Sequence, residues 1–298
     1  MGYIDVIAAA KKWRVSERSV RNYCQNGRVP GAIMDRGIWY IPDDMKKPAR
    51  KQRQGKIPAQ LLKRLKTEKE SGIPGGIYHK LQIELTYNSG HMDGKGLSHE
   101  QTRFIFETNS IEAKDSSVNI DELLETVNHF RCIDLVIDQA NYALSEAFIK
   151  QLHYILKSGT SDCRKPWFAV GDYKRIDNEA GGMATTRAAN VPEEMKNLIS
   201  AYNSTKEKHL EDIIDFHCKL EKIHPFQDCN GRIGRLIMLK ECLRNNITPF
   251  VLEDDLKVFY YNGLKEWKNE RSYLKNTVLT SQDRFKTYMD YFDIKYVD

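Results

Sequence analysis

The sequence predicts a mainly helical chain with one small hairpin, preceded by a small helix–turn–helix module. Three observations predict it. From Tyr78 to the C-terminus apolar residues recur at helical spacing. The stretch from Trp167 to Asn190 breaks that period with Gly171, Gly181 and Gly182 between short apolar pieces, so it reads as a β-hairpin or flap. Residues 1–56 hold 13 Lys/Arg against 5 Asp/Glu, while the remainder holds 33 against 36. A basic piece on a slightly acidic body points to a nucleic-acid-facing module joined to something else.

The elements follow in order. Residues 3–13 fit a short helix or pair of turns, and Arg14-Val15-Ser16 reads as a turn. Ser16 is an N-cap for a helix through about Asn26, which Gly27 ends. Ile38-Trp39-Tyr40-Ile41, between Gly37 and Pro42, reads as a short strand. Lys46 to Lys56 is polar, basic and without large apolar anchors, so it reads as a linker. A second break comes at Ser71-Gly72-Ile73-Pro74-Gly75-Gly76. Helices are then expected over 78–88, 98–108, 120–139, 145–157, 192–203, 207–222, 231–244, 256–266 and 272–292. The domain reading is residues 1–48 as the N-terminal module, 49–76 as basic linker and connecting helix, and 77–298 as the large domain.

Composition narrows the class. Hydrophobic content of 41% and charge of 29% over 298 residues are ordinary for a globular protein with a real core. No apolar run is long enough to span a membrane, and the N-terminus lacks a basic region followed by an apolar one, so no secretion is expected. Cys24, Cys132, Cys163, Cys218, Cys229 and Cys242 have no zinc-ligand spacing and read as reduced thiols in a cytoplasmic protein.

The densest chemistry lies in His224-Pro225-Phe226-Gln227-Asp228-Cys229-Asn230-Gly231-Arg232-Ile233-Gly234-Arg235, between two helical runs. Arg232 and Arg235 fall in the first turns of the second run. Positive side chains at that end oppose the helix dipole, which makes sense if an anion such as a phosphate chain sits there. His224 can take a proton from a hydroxyl near neutral pH. Asp228 is a hard oxygen ligand suited to Mg²⁺. Asn230 can donate to a phosphate oxygen, and the arginines can neutralise outer phosphates.

This stretch resembles the signature of the Fic family, His-Pro-Phe-x-Asp-Gly-Asn-Gly-(Arg/Lys)-x-x-Arg, departing from it only where Cys229 replaces Gly. The likeness runs from about Tyr78 to Trp267. It implies a Fic-type helical domain and Mg²⁺-dependent transfer of AMP from ATP to a Ser, Thr or Tyr hydroxyl of a target protein, or of the chain itself. By the same resemblance His224 is the general base, Asp228 holds Mg²⁺, and Asn230 contacts the α-phosphate. Gly231 and Arg232 contact the β-phosphate, Arg235 the γ-phosphate, and Tyr260 lies near the adenosine. Cys229 belongs to the same nucleotide loop. There it is strained if φ is positive, nearly neutral if φ is negative, and a candidate reactive thiol at a helix N-terminus.

Further family features have counterparts. A hairpin that holds the target segment by strand addition matches Gly171 to Thr186, with Met183, Ala184 and Thr185 at its core. The inhibitory motif (Ser/Thr)-x-x-x-Glu-(Gly/Asn) has two candidates. Thr108 to Ala113 has the glutamate, Glu112, and Ser89-Gly90-His91-Met92-Asp93-Gly94 has Asp in its place. The surrounding residues favour Ser89, Asp93 and Gly94. Asp93 keeps the charge on a side chain one methylene shorter, which predicts weaker auto-inhibition through Arg235 than a glutamate gives.

Residues 8–23 resemble a winged helix–turn–helix of the excisionase or merR type. Val20 and Tyr23 would pack inward, while Ser16, Arg18, Ser19 and Asn22 would face a DNA groove with Arg21 near phosphates. The implied partners are ATP, a hydroxyl-bearing target protein or the chain itself, and duplex DNA through residues 1–48. A homo-oligomer is a further option, and no membrane is implied. The alternatives are a DNA-binding transcriptional regulator whose Fic-like domain senses nucleotide, or a Fic enzyme that uses another donor or removes AMP.

Overall fold

The computed structural model describes residues 2–25, 27–35, 37–48, 60–111 and 118–296. The expected helix end at Asn26, most of the expected linker, and the alternative inhibitory glutamate Glu112 lie outside them. The chain divides into two compact units, Met1–Leu61 with Phe250–Asp298, and Leu62–Pro249.

The first unit begins with β1 (Tyr3–Asp5), α1 (Val6–Trp13), α2 (Glu17–Gln25), β2 (Ile33–Asp35) and β3 (Ile38–Pro42). Asp5 caps α1 by accepting from the Ala8 N–H at 2.7 Å. Arg14 ends it in the left-handed conformation, at φ 52°. Ser16 caps α2 through the Ser19 N–H at 3.2 Å, as its residue type predicts. The strands form an antiparallel sheet in the order β1-β3-β2, with Ile4 opposite Ile41 and Met34 opposite Trp39. Only β3 was legible as a strand. β1 is three residues long, and β2 is exposed throughout, so neither shows an alternating pattern. Val6, Ala9, Trp13, Val20, Cys24 and Ile41 form this unit's core, with Tyr23 partly buried against it.

The second unit holds α3 (Gln60–Ser71), α4 (Ile77–Met92), α5 (His99–Thr108), α6 (Ile120–Gln139) and α7 (Glu146–Lys157). A two-stranded hairpin follows, β4 (Glu179–Ala180) and β5 (Met183–Ala184), and then α8 (Val191–Ser204), α9 (Leu210–Ile223) and α10 (Asn230–Arg244). Caps set the starts: Ser98 and Gln101 form a reciprocal box at α5, Asn119 caps α6, and Ser145 caps α7. Helix α10 is the axis of the unit, buried on every side from Arg232 to Leu243 and packed by α4, α6, α7 and α9. Ile233, Leu236, Ile237 and Leu239 are buried as expected. Gly234 lets α10 approach α9 closely, since a Cβ there would strike the His217 ring. Helix α4 runs four residues past its expected end at residue 88, which carries Ser89 inside it and leaves Asp93 as its C-cap.

The chain returns to the first unit with α11 (Lys257–Glu266) and α12 (Ser272–Tyr291). Among the described residues, no helix is long and apolar enough to cross a membrane.

Candidate active site

Two left-handed residues build the loop between α9 and α10. His224 takes φ 51° and closes α9 by donating its N–H to Leu220 O at 2.8 Å. Pro225 cannot continue the helix. Cys229 takes φ 67° and opens α10 without a side-chain cap. Its N–H is taken by Asp228 Oδ1 at 2.7 Å. The family's glycine fits this backbone without strain, whereas Cys229 carries a cost of about 1–2 kcal/mol.

Asn230 ties the loop together. Its side-chain oxygen accepts from the Phe226 N–H at 2.8 Å, and its amide nitrogen donates to Phe226 O at 2.8 Å. These bonds fix the amide orientation, so the contact from Asn230 Nδ2 to His224 Nδ1, at 3.1 Å, is a donation to the ring. The neutral His224 ring therefore carries its proton on Nε2. Burial, reinforced by the positive charge of Lys174, pushes the His224 value down to about 4, against the opposing pull of Asp228 and Asp93. The ring is uncharged at neutral pH.

Asp228 is half exposed, with Oδ2 3.2 Å from Lys157 Nζ. Burial of its surroundings would raise its value, but Arg232 and Lys157 hold it well below the usual carboxylate range. Behind it lies Glu125 on α6, which sequence reading missed. Glu125 is buried and accepts from Lys157 Nζ at 2.6 Å and Arg232 Nη1 at 2.7 Å, while Lys95 Nζ lies 2.7 Å away. Burial alone would raise its value, yet Arg232 and Lys157 bring it down to about 2. Lys157 also pairs with Asp162. No local pattern marks Glu125, Lys157 or Lys95, because their partners come from distant segments. Lys157, at the end of α7, is almost fully buried, which pairing alone permits.

Asp93 meets both signature arginines. Its Oδ1 accepts from Arg235 Nη2 at 2.7 Å and its Oδ2 from Arg232 Nε at 3.0 Å. Arg235 also donates to Ser89 Oγ at 2.8 Å and Ser89 O at 2.9 Å. Asp93 caps α4, and its Oδ1 reaches the Gly231 position, where a Cβ would lie 3.3 Å from it and 2.9 Å from Arg235 Nη1. Gly94 follows at φ 81°, a conformation that suits glycine.

The flap is smaller than the expected hairpin, with two residues in each strand. Its base is bonded to the signature loop: Lys174 N–H donates to Pro225 O at 2.8 Å, and Asn178 Nδ2 to Phe226 O at 3.0 Å. Thr185 Oγ1 bonds Asn178 and Lys174 at 2.7 Å each. β5, with Met183 and Ala184, thus follows from a base fixed to the loop that carries His224. Tyr260 belongs to the first unit and is buried there, so it is not among the residues the second unit gathers. Cys229 corrects one expectation. Burial raises its thiol well above the ordinary value, and its Sγ accepts from Arg232 Nη2 at 2.8 Å, so it is not a reactive thiol.

Asp228 is a hard oxygen donor with an open side, whereas Glu125 is surrounded by three cations. One carboxylate completed by phosphate oxygens and water is a donor set that suits Mg²⁺. Asp228, Glu125 and Cys229 bring ligand atoms within 4.8 Å of one another.

The model of the Fic/DOC family matches residues 143–242. Protein adenylyltransferase Fic of Aedes aegypti is 25% identical over 187 residues, covering 61% of this chain and 36% of the relative. Its counterpart in Drosophila grimshawi is 27% identical over 188 residues, covering 60% and 36%. The match thus spans about a third of the length of these curated relatives. Among solved structures, a Fic domain-containing signaling protein from Bacteroides thetaiotaomicron superposes with a TM-score of 0.63 at 21% identity, covering 80% of this chain and 98% of that one. Fic-1 of C. elegans superposes at 0.60 with 17% identity, covering 78% and 72%. The Fic/DOC family model thus matches the stretch that holds the loop from His224 to Arg235, in a chain whose fold is similar to those of solved Fic-domain proteins.

Proposed function

We propose that this chain is a protein adenylyltransferase, moving AMP from ATP to a Ser, Thr or Tyr hydroxyl of a target protein or of itself. One observation carries the reading. An uncharged His224, an open Asp228 and two arginines converge on the start of α10, in a domain whose curated relatives are named adenylyltransferases.

In the reaction the hydroxyl oxygen attacks the α-phosphorus, the bond to the β-phosphate bridging oxygen breaks, and pyrophosphate leaves. Mg²⁺ held at Asp228 would neutralise phosphate charge as it builds. His224 accepts the hydroxyl proton. Its Nδ1 lone pair is engaged by Asn230, so that nitrogen becomes a base only when this one contact gives way as the donor binds. Binding of the donor and activation of the base are then one event. Arg232 receives the β-phosphate, held in position by Glu125. Arg235 receives the γ-phosphate once Asp93 withdraws, which makes Asp93 the auto-inhibitory carboxylate. The target segment lies along the open edge of the β4–β5 hairpin, where main-chain bonds give affinity without demanding a particular sequence.

The test is incubation with ATP labelled at the α- or the γ-phosphate, beside a His224→Ala control. Label on protein from the α-position alone supports adenylyl transfer. Label from the γ-position indicates phosphotransfer, and none from either favours a nucleotide sensor.

A further inference from the structure

A reader of duplex DNA must keep the polar face of its recognition helix open, because bases and phosphates are contacted by exposed donors. In α2 that face is the stripe Arg18, Arg21, Asn22 and Gln25, spaced i, i+3, i+4 and i+7, while Val20 and Cys24 turn to the module's core. The stripe is covered. Arg21 is 2% exposed and Asn22 is 8% exposed, which corrects the expectation that they face a groove and its phosphates.

The cover is α12, within the same compact unit. Lys286 Nζ donates to Asn22 Oδ1 at 2.6 Å. Arg21 donates to Asn276 Oδ1, and Gln25 donates to the main-chain oxygen of Asp283. Arg21 is also 3.7 Å from Glu17 on its own helix. The buried Asp283 carboxylate feels the positive charges of Lys286, Arg21 and Arg18, and its Oδ1 is 3.2 Å from Lys286 Nζ. Asn276, Thr280 and Asp283 lie at i, i+4 and i+7 on α12, and Thr280 Oγ1 donates to Gly37 O in the turn between β2 and β3 at 2.9 Å. One face of α12 therefore meets both the recognition-type helix and the strand turn. It sets a carboxylate before the arginines, where a DNA reader would meet a phosphate.

We propose that the polar stripe of α2 is a protein-docking surface whose partner is α12 of this same chain, and that duplex DNA is not its ligand. The N-terminal module then works as a clasp on the C-terminal helix. This assignment is independent of the chemistry proposed for residues 62–249.

Two measurements on the full chain test it. Hydrogen exchange across Ser272–Tyr291 should quicken on the order of tenfold in Arg21→Ala and Asn22→Ala. It should do the same in Lys286→Met, which leaves residues 1–48 untouched and so separates undocking from misfolding of the module. A pool of random-sequence duplexes at low salt should be retained no better by the unaltered chain than by Arg18→Ala or Arg21→Ala. Unchanged exchange in all three docking variants overturns the proposal. So does duplex retention that depends on Arg18, Arg21 or Asn22, or duplex binding gained in Lys286→Met, which would mark α12 as a removable cover over a DNA reader.

Discussion

Asp93 lies 2.7 Å from Arg235 through one carboxylate oxygen, and the other oxygen lies 3.0 Å from Arg232. A single side chain thus satisfies both guanidinium groups that a triphosphate would need. The shorter acid loses no reach: Asp93 caps α4 and bonds both arginines.

Removing that carboxylate should open the site. Asp93→Gly is expected to tighten ATP binding on the order of tenfold, a size typical of coupling between competing ligands, and to raise self-modification. Calorimetric titration with ATP and Mg²⁺ checks the first, and intact-mass spectrometry the second. Asp93→Glu should inhibit no more strongly than the native residue, since the native carboxylate already bonds both arginines.

Cys229 sits at φ 67° with its thiol against Arg232. Cys229→Gly relieves strain but gives up that contact and adds freedom to the unfolded chain, so stability should change by no more than about 1 kcal/mol. Cys229→Ala keeps the strain and loses the contact, and should cost about 1–2 kcal/mol. Urea denaturation of the two variants checks the contrast. Alkylation at pH 8 should label the exposed Cys163 and leave the buried Cys229 unmodified.

Glu125 and Lys157 are 3% and 2% exposed, and their charges are compensated within the cluster. Glu125→Gln leaves Lys157, Lys95 and Arg232 short of a counter-charge, and about 3–5 kcal/mol of stability should be lost. ATP binding should weaken at the same time, because Arg232 loses its anchor. Lys157→Met should be similarly destabilising, through Glu125 and Asp162.

Acid should weaken the second unit well before its carboxylates are all protonated. Burial lowers His129, His153 and His217 to about 3 and His224 to about 4. Each folded value is depressed, so each contribution is complete above the unfolded value near 6.5 and declines as pH falls toward 4 and 3. The loss approaches about 1.4 kcal/mol per pH unit per histidine. Glu221, raised by burial to about 7, opposes this with the slope of one group, lost as pH rises from about 4.5 through 7. Denaturation midpoints between pH 7 and 4 should therefore fall. The acidic limb of kcat/KM should lie nearer pH 4 than 6.5, since the free enzyme's His224 sets it.

What was legible follows from how locally each feature is encoded. Helix α6 begins and ends as its pattern predicts, because Asn119 caps it and one apolar face is buried. The loop from His224 to Arg235 was legible because its chemistry is contiguous in sequence. Glu125, Lys95 and Lys157 were not, because each becomes meaningful only when α4, α6, α7 and α10 pack. Arg21 and Asn22 misled for a related reason. A polar helical stripe looks the same whether it awaits a duplex or a polar face of its own chain, and only α12 distinguishes the two.

The central claim is that His224 accepts a hydroxyl proton while AMP moves to protein. The most direct measurement incubates Asp93→Gly with ATP labelled at the α- or the γ-phosphate, alone and with His224→Ala added. The account predicts protein-bound label from the α-position only, abolished by His224→Ala. Label carried from the γ-position, or α-label that survives loss of His224, would contradict it.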